Sequence, residues 1–207
     1  VTDANRTAIS LLKRWPDWRT AAFCLVGEKR SGLTTAAQAW CDLSGGSLLS
    51  AKALGKLSHK KISALAEAPV AIDRADKVEN DDNLLSLINL SASHGGTLLL
   101  TGRQPPARWR ARLPDLQSRL SAMTLLELGP PDDEMLRIRL RAAMKRRYLK
   151  LPEAVEDYVI MRLERSYAAI ESFVKELHEL SDEREVTIPL AREILDEMDG
   201  TRPLFED

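Results

Sequence analysis

The stretch that decides the fold is Phe23-Cys24-Leu25-Val26-Gly27-Glu28-Lys29-Arg30-Ser31-Gly32-Leu33-Thr34-Thr35. An apolar run ends at Gly27, four residues intervene, and Gly32 precedes a segment with helical periodicity. This spacing is typical of a phosphate-binding loop, G-x-x-x-x-G-K-[ST], whose backbone N–H groups surround phosphate oxygens. Leu33 stands where the motif has its lysine. The pattern therefore predicts the backbone scaffold of a nucleotide site without its main side-chain charge.

The composition is that of an ordinary globular protein with a sizeable core, since 44% of the 207 residues are hydrophobic and 29% are charged. A formal net charge of −1 excludes a global attraction to nucleic acid or anionic membrane, so any such attraction must be local. Cys24, Cys41 and the three histidines lack the spacing of a metal site, and we expect no metal. No apolar run reaches the roughly 18 residues of a membrane span, and nothing resembles a signal peptide. We therefore expect a cytoplasmic protein without a membrane partner.

Short apolar runs alternate with helical patterns over the first 129 residues. The runs with strand character are 22–26, 47–49, 70–73, 97–101 and 125–128. This alternation predicts an α/β fold in which a parallel sheet carries helices on both faces. The loop after the first strand would then lie at the carboxyl edge of the sheet, where ligands bind in such folds.

The pattern changes at Gly129-Pro130-Pro131, beyond which only helices are predicted. These helices are expected at 132–148, 153–163 and 166–180, with a short one after Pro189. We therefore divide the chain into a P-loop NTPase-like base domain at 1–129, an α-helical domain at 130–198 and a flexible C-terminal tail at 199–207.

A nucleotide site of this kind also needs a hydroxyl for Mg²⁺ and an acid at the end of a neighbouring strand. Thr34 supplies the hydroxyl, and Asp73 follows a buried-strand pattern as the strand-end acid. The next position, where hydrolytic ATPases usually carry a second acid, is Arg74. Lys29 or Arg30 could replace the missing lysine, although side chains at a loop apex need not face the phosphates. The alternative is a simple strand–turn–helix corner that binds nothing.

Two basic clusters could contact phosphate groups, and each also has an ordinary interpretation as a solvated surface. The first surrounds Trp109 and consists of Arg103, Arg108, Arg110, Arg112 and Arg119. The second lies on the helix predicted after residue 132 and consists of Arg137, Arg139, Arg141, Lys145, Arg146 and Arg147. We interpret the second cluster as a solvated face, and Glu153, Glu156 and Asp157 as acids that a helix start favours. Direct DNA binding is not expected.

Several segments, taken in order, resemble Hda, a family of bacterial AAA+ proteins homologous to the ATPase core of the replication initiator DnaA. They are Asn5-Arg6-Thr7-Ala8, Trp15-Pro16-Asp17-Trp18, Ile72-Asp73, Thr101-Gly102-Arg103-Gln104-Pro105-Pro106, Leu113-Pro114-Asp115-Leu116-Gln117-Ser118-Arg119-Leu120 and Thr187-Ile188-Pro189-Leu190-Ala191-Arg192-Glu193-Ile194-Leu195. The resemblance runs from about residue 1 to about residue 197. It implies an AAA+ base domain followed by a small α-helical lid.

The resemblance also implies an activity, which is regulatory inactivation of DnaA. An Hda protein loaded on the sliding clamp stimulates hydrolysis of the ATP bound to DnaA. The arginine finger offered in trans to the DnaA site corresponds to Arg119, and the first sensor position corresponds to Thr101. The lid sensor arginine aligns with Ala168 and is absent, although Arg165 is near. By this resemblance a vestigial nucleotide site comprises Gly27, Gly32, Thr34, Asp73 and Thr101.

Leu33, Arg74 and Ala168 each remove charge that would contact nucleotide or activate water. We therefore expect no bound cofactor, or ADP or ATP held with weak affinity, and no intrinsic ATPase activity. Expected partners are DnaA and, if the family's short clamp-binding motif lies upstream of this sequence, the sliding clamp, with self-association left open.

Three hypotheses follow for the function. The first is an Hda-like regulator that promotes hydrolysis of DnaA-bound ATP. The alternative is a non-catalytic AAA+ pseudo-ATPase that binds DnaA or other replication proteins. The third is a working ATPase or DNA remodeller that uses Lys29 or Arg30 as a surrogate lysine.

Overall fold

The computed structural model describes residues 2–181 and 184–200. These residues divide into two compact units, one extending from Asp3 to Gly129 and the other beginning at Pro130. We call them the base and the lid. None of the helices in the described ranges combines the length and the apolar character that crossing a membrane requires.

The base alternates strands with helices. In chain order its elements are α1 (Asp3–Lys13), β1 (Ala22–Gly27), α2 (Leu33–Ser44), β2 (Ser47–Ser50), α3 (Ala51–Leu54), α4 (His59–Leu65), β3 (Val70–Asp73), α5 (Asp81–His94), β4 (Leu98–Gly102), α6 (Pro114–Ser121) and β5 (Thr124–Leu128). Short 3₁₀ helices are at Ala75–Lys77 and Pro106–Arg108.

The five strands form one parallel sheet in the order β2-β3-β4-β1-β5. Strand β1 pairs with β4 and β5, and β3 pairs with β2 and β4. The predicted α/β fold with a parallel sheet is therefore confirmed. Because β1 lies between two strands that come much later in the chain, the loop after it emerges from the interior of the sheet rather than from an edge strand.

Alternate side chains of the strands enter two separate apolar cores, because successive residues of a strand point to opposite faces of a sheet. On one face Cys24 and Val26 pack in a core with buried residues of α4, α5 and α6. On the other face Phe23 and Leu25 pack in a core with buried residues of α1 and α2. Both faces of the sheet are thus covered by helices, as predicted. Burial raises the pKa of the Cys24 thiol to about 12, so this thiol is an apolar core group at neutral pH.

Within the described residues the lid has four helices, which are α7 (Asp133–Arg146), α8 (Glu153–Arg162), α9 (Tyr167–Ser181) and α10 (Ile188–Gly200). Each contributes apolar residues to a single core of its own. The last helix has 13 residues and is longer than the short helix predicted after Pro189. Asp199 and Gly200, assigned from the sequence to a flexible tail, belong to this helix. The rest of that predicted tail, 201–207, lies outside the described residues.

Glu156 lies in the first turn of α8, as predicted, but the sequence did not indicate that it is buried or that Arg137 and Arg141, interpreted as part of a solvated face, pair with it. The Glu156 side chain is buried, and its carboxylate accepts hydrogen bonds from Arg137 at 3.3 Å and from the Nε of Arg141 at 2.9 Å and 3.0 Å. Asp157 also contacts Arg137 at 2.6 Å. A buried carboxylate requires such compensation, so these arginines join α7 to α8.

Gly102, at the end of β4, leaves room for the buried ring of Trp109. A Cβ atom built on Gly102 would lie 2.4 Å from the Trp109 ring, and Trp109 is itself held by a 2.7 Å hydrogen bond from its Nε1 to the Gln104 carbonyl. Because neither the ring nor the strand can move freely, we expect Gly102→Ala to lower the free energy of unfolding by about 1–3 kcal/mol in urea denaturation.

The matched control is Gly55→Ala. Gly55 has helical backbone angles, and a Cβ atom there would meet nothing closer than 3.7 Å. The free energy of unfolding of the Gly55→Ala variant should equal that of the parent protein or rise slightly. Equal stability of the two variants would contradict the packing argument.

Candidate functional site

The loop from Gly27 to Gly32 connects the end of β1 to the start of α2, and its geometry requires glycine at both ends. Gly32 has φ 104°, a region that residues with a Cβ atom rarely adopt. A Cβ atom on Gly27 would lie 2.6 Å from the Ser31 hydroxyl oxygen and 3.0 Å from the Leu128 carbonyl oxygen. The loop therefore turns tightly against β5, and its backbone can do so only without these two side chains.

Leu33, which stands at the lysine position of the motif, is the first residue of α2 and only 7% exposed. It belongs to the same core as Ala37 and Trp40 of that helix. Burying a leucine side chain contributes about 1.5–3 kcal/mol to folding. The side chain at this position is thus part of the core packing of the base.

The carboxylate of Asp73, at the end of β3, accepts hydrogen bonds on both oxygens. The Thr34 hydroxyl donates to Oδ2 at 2.9 Å, and the Thr101 hydroxyl donates to Oδ1 at 2.8 Å. The Thr101 oxygen in turn accepts the backbone N–H of Arg74 at 2.9 Å. The structure therefore brings together the hydroxyl, the strand-end acid and the first sensor position that were predicted for the site.

Arg74, at the position of a second acid, follows β3 in the left-handed conformation with φ 57°. Its guanidinium forms two hydrogen bonds with Asp76, from Nε at 3.0 Å and from a terminal nitrogen at 3.2 Å. The hydrogen bond to Asp76 raises the pKa of Arg74. The charge of Arg74 is thus directed at Asp76, a partner that the sequence pattern did not identify because the two residues are only two positions apart, at the start of a short 3₁₀ helix.

The two candidate surrogate cations, Lys29 and Arg30, are both exposed at the tip of the loop. Arg30 has φ 72°, which belongs to the turn that brings the chain back towards Gly32. The residues at this corner supply backbone N–H groups, a hydroxyl and a carboxylate, whereas the motif's own lysine position carries no charge. Within the described residues no group of three His, Cys, Asp or Glu side chains is arranged to hold a metal ion.

Arg119 lies elsewhere in the base, in the last turn of α6. Leu116 and Leu120 on the same helix are buried, and they fix the helix against the core. The Arg119 side chain is 51% exposed, and its Nε lies 3.7 Å from Asp115 Oδ1. The Arg119 guanidinium is therefore held on an anchored helix, is half exposed to solvent, and forms a long ion pair with Asp115.

The remaining arginines of the first cluster, Arg103, Arg108, Arg110 and Arg112, are exposed. The backbone N–H of Arg112 donates to the Asp81 carboxylate at the start of α5. These residues flank the buried Trp109 and do not approach the Asp73 network through any hydrogen bond or ion pair seen in the described part of the chain. The sequence cluster is thus a surface group of charges.

Ala168, to which the resemblance assigns the position of the lid sensor arginine, lies in the first turn of α9. The neighbouring Arg165 is exposed and forms an ion pair with Asp133 at the start of α7. Ser166 caps the helix by accepting the Ala169 backbone N–H at 3.0 Å. Arg165 therefore connects the loop between α8 and α9 to the start of α7.

Comparison with known proteins identifies the lid first. Residues 132–195 match the family model described as "Hda, lid domain". The resemblance to Hda is confirmed. The matching segment contains all of α7, α8 and α9 and most of α10, so the match to the Hda family model covers most of the lid.

Solved structures show the fold of the whole chain. Domain III of the replication initiation protein DnaA from Thermotoga maritima is similar with a TM-score of 0.72 and 17% identity, covering 95% of this chain and 93% of that one. AMPPCP-bound DnaA from Aquifex aeolicus is similar with a TM-score of 0.69 and 16% identity, covering 96% and 68%. A RuvB mutant from Thermotoga maritima reaches 0.60 at 14% identity, covering 93% and 66%. The predicted AAA+ fold is confirmed.

The Asp73 network makes a testable contribution to stability. Thr101 is fully buried, so Thr101→Val keeps the shape and removes the hydroxyl that joins Asp73 to the Arg74 backbone. We expect the free energy of unfolding in urea to fall by about 1–3 kcal/mol, because a half-buried carboxylate oxygen and a backbone N–H lose their partner.

Thr34→Val serves as the comparison, because the Thr34 hydroxyl bonds to the same carboxylate at an exposed position. Water can replace that hydroxyl, and the effect should stay below about 1 kcal/mol. A Thr34→Val effect as large as that of Thr101→Val would show that burial does not distinguish the two bonds.

Proposed function

We propose that this protein is an Hda-like regulator of replication initiation that acts on DnaA and promotes hydrolysis of DnaA-bound ATP. In this proposal Arg119 enters the DnaA site in trans and stabilises the negative charge that develops on the γ-phosphate during transfer. The observation that carries the proposal is the presentation of Arg119, which is exposed on a helix anchored by buried leucines. Its 3.7 Å ion pair with Asp115 is of a kind that costs little to break.

A second part of the proposal is that the protein's own nucleotide site is degenerate. Three observations support it: Leu33 is buried in the core, Arg74 is bonded to Asp76, and Ala168 cannot supply a sensor guanidinium. The Asp73 carboxylate is satisfied by two hydroxyls of the chain. The corner then serves as a structural junction, and the catalytic contribution is made at the partner's nucleotide.

The partners of this proposal are DnaA and the sliding clamp that brings the protein to DNA, with the complex working in the cytoplasm. The support for DnaA comes from the Hda-like lid and from the DnaA-like fold. The protein binds no cofactor of its own in this scheme, or holds ADP or ATP only weakly.

The test is DnaA ATP hydrolysis, measured with clamp loaded on DNA and with this protein added. We expect Arg119→Ala to reduce the stimulated rate by at least about tenfold, since an arginine finger supplies roughly 10³–10⁵-fold in rate. Arg119→Lys should remain defective, because an ammonium cannot reproduce the planar two-donor contact of a guanidinium.

Arg110→Ala is the matched control, since Arg110 is equally exposed in the same basic cluster. The Arg110→Ala variant should stimulate DnaA ATP hydrolysis as strongly as the parent protein does. Full stimulation by Arg119→Ala would show that the finger assignment is wrong, and loss with both variants would indicate a general electrostatic role of the cluster.

The second candidate function is a non-catalytic AAA+ module that binds DnaA or other replication proteins without promoting hydrolysis. It is favoured by the closed Asp73 network, in which groups of the chain itself satisfy both carboxylate oxygens. Under this alternative the parent protein binds DnaA in a pull-down but leaves its hydrolysis rate unchanged. The same ATPase measurement therefore separates the two functions.

The degenerate site can be tested directly by isothermal titration with ATP or ADP. Losing one charge-assisted phosphate contact removes about 1.5–3 kcal/mol of binding free energy, so a site with a Kd of about 1 μM would weaken to a Kd of about 10–150 μM. We expect Kd values at or above this level for both nucleotides. Micromolar binding that is lost in Lys29→Ala or Arg30→Ala would instead support the third hypothesis, a working site with a surrogate cation.

A further inference from the structure

The helix that carries Arg119 is short and packs on the base along one line. Helix α6 has eight residues, and its buried ones are Leu116 and Leu120. Because these two leucines are four positions apart, they lie one above the other on the same side of the helix. Packing along a single line of side chains does little to resist rotation of a helix about its own axis. The direction in which Arg119 leaves the helix therefore depends on a further contact.

Gln117 and Arg119 lie on opposite sides of that line. Successive residues of an α-helix are about 100° apart around its axis. Measured from the middle of the line through Leu116 and Leu120, Gln117 is about 80° to one side and Arg119 about 80° to the other. A contact that holds Gln117 against the base therefore resists the rotation that would move Arg119.

Gln117 makes such a contact. Its side-chain amide donates a hydrogen bond at 3.0 Å to the backbone carbonyl of Ala107, ten positions earlier in the chain. The same amide lies 3.4 Å from the Ser121 hydroxyl, and Arg119 pairs with Asp115, but both of these contacts are within α6 and turn with it. In the described part of the chain, no other side chain of α6 forms a hydrogen bond or ion pair with a residue outside the helix.

The carbonyl that accepts this bond is itself held in place. Ala107 belongs to the short 3₁₀ helix Pro106–Arg108, which has its own backbone hydrogen bonds. Trp109 follows immediately, and its buried ring packs against Gly102 at the end of β4. The 3₁₀ helix is thus fixed to the sheet, and Gln117 joins α6 to that fixed point.

We propose that Gln117 is a positioning residue for Arg119. Its bond to Ala107 sets the rotation of α6 about its axis, and so the direction in which the Arg119 guanidinium extends. The functional part of this inference rests on the proposed role of Arg119 at the nucleotide of DnaA. A rotation of about 10° moves a group at the helix surface, about 6 Å from the axis, by about 1 Å. A misplacement of that size can lower a reaction rate about 100-fold.

The positioning can be measured on this protein alone, as a distance between two nitroxide labels in double electron–electron resonance. One label replaces Arg119, as Arg119→Cys, and the other stands on the base at the exposed Lys60, as Lys60→Cys. The natural cysteines, Cys24 and Cys41, are both buried and do not compete for the label. We expect Gln117→Ala to shift or broaden the distance distribution by about 2 Å or more, the movement that a rotation of about 20° produces at the helix surface.

Ser121→Ala is the matched control. It removes the neighbour of the Gln117 amide within α6 and leaves the bond to Ala107 in place, so the distance distribution should not change. Both variants should fold, because the loss of one hydrogen bond at a partly exposed side chain costs about 0.5–1.5 kcal/mol. A change as large in Ser121→Ala as in Gln117→Ala would assign the effect to the contact within the helix and overturn the proposal.

The consequence for function is measured as DnaA ATP hydrolysis at increasing concentrations of this protein. We expect Gln117→Ala to lower the maximal stimulated rate about fivefold or more and to leave the half-saturating concentration within about twofold, because a misdirected Arg119 affects the transition state rather than association. Gln117→Glu has nearly the same shape but no amide donor, so it should behave like Gln117→Ala. Gln117→Lys restores an N–H donor of similar reach and should recover most of the rate.

The outcomes separate this inference from the proposed function. An unchanged distance distribution in Gln117→Ala overturns the positioning role, whether or not the parent protein acts on DnaA. A parent protein that does not stimulate hydrolysis overturns the proposed function, and the distance measurement then decides the role of Gln117 by itself. With an active parent, an unchanged maximal rate in Gln117→Ala, or a change confined to the half-saturating concentration, also overturns the inference, since Gln117 would then not direct Arg119.

Discussion

The carboxylate of Asp73 is the point at which the carboxyl edge of the sheet is held together. It accepts the hydroxyls of Thr34 and Thr101, and Thr101 then accepts the backbone N–H of Arg74. Three segments that are distant in sequence, the start of α2, the end of β3 and the end of β4, are fixed by this one group. Thr101 is fully buried, so its bond is made away from competing water and fixes the register at which these segments meet.

At the same corner, the position of the missing lysine takes part in core packing. Leu33 takes the position of a phosphate-binding lysine and packs with the core that contains Trp40. Trp40 stacks on Trp18 with ring centroids 5.1 Å apart, and Trp18 contacts Phe23 of β1. The loop is thus continuous with an aromatic core, and restoring a charge at Leu33 would require that core to change. This is the physical setting in which the proposed catalytic contribution passes to Arg119.

In the lid, the buried carboxylate of Glu156 joins two helices, much as Asp73 joins segments of the base. Glu156 is nearly inaccessible to solvent, and the guanidinium groups of Arg137 and Arg141 compensate its desolvation. Two residues after the end of α7, the chain passes through Tyr148 in the left-handed conformation, with φ 58°. The basic residues of α7, which look uniform in sequence, therefore differ in their partners: Arg137 and Arg141 pair with the buried Glu156, whereas Arg146 pairs with Glu171.

Much of this structure could be predicted from local patterns. The strand before Gly27, the tight loop and the helix after it, the acid at the end of β3 and the change to helices after Gly129 all follow from periodicity and from glycine and proline positions. The resemblance to Hda pointed to the AAA+ fold, which was confirmed. The bond between Arg74 and Asp76 and the burial of Glu156 could not be predicted, because turn geometry and interhelical packing leave no periodic signal.

The sequence by itself determined the alternation of elements, the place of the phosphate-type loop and the absence of its lysine, since these depend on residues close together in the chain. Only the tertiary structure decided the strand order β2-β3-β4-β1-β5, the convergence of Thr34 and Thr101 on Asp73, and which arginines are exposed. Those features depend on contacts between residues far apart in sequence. Such contacts are chosen by the packing of the whole core, which no local pattern contains.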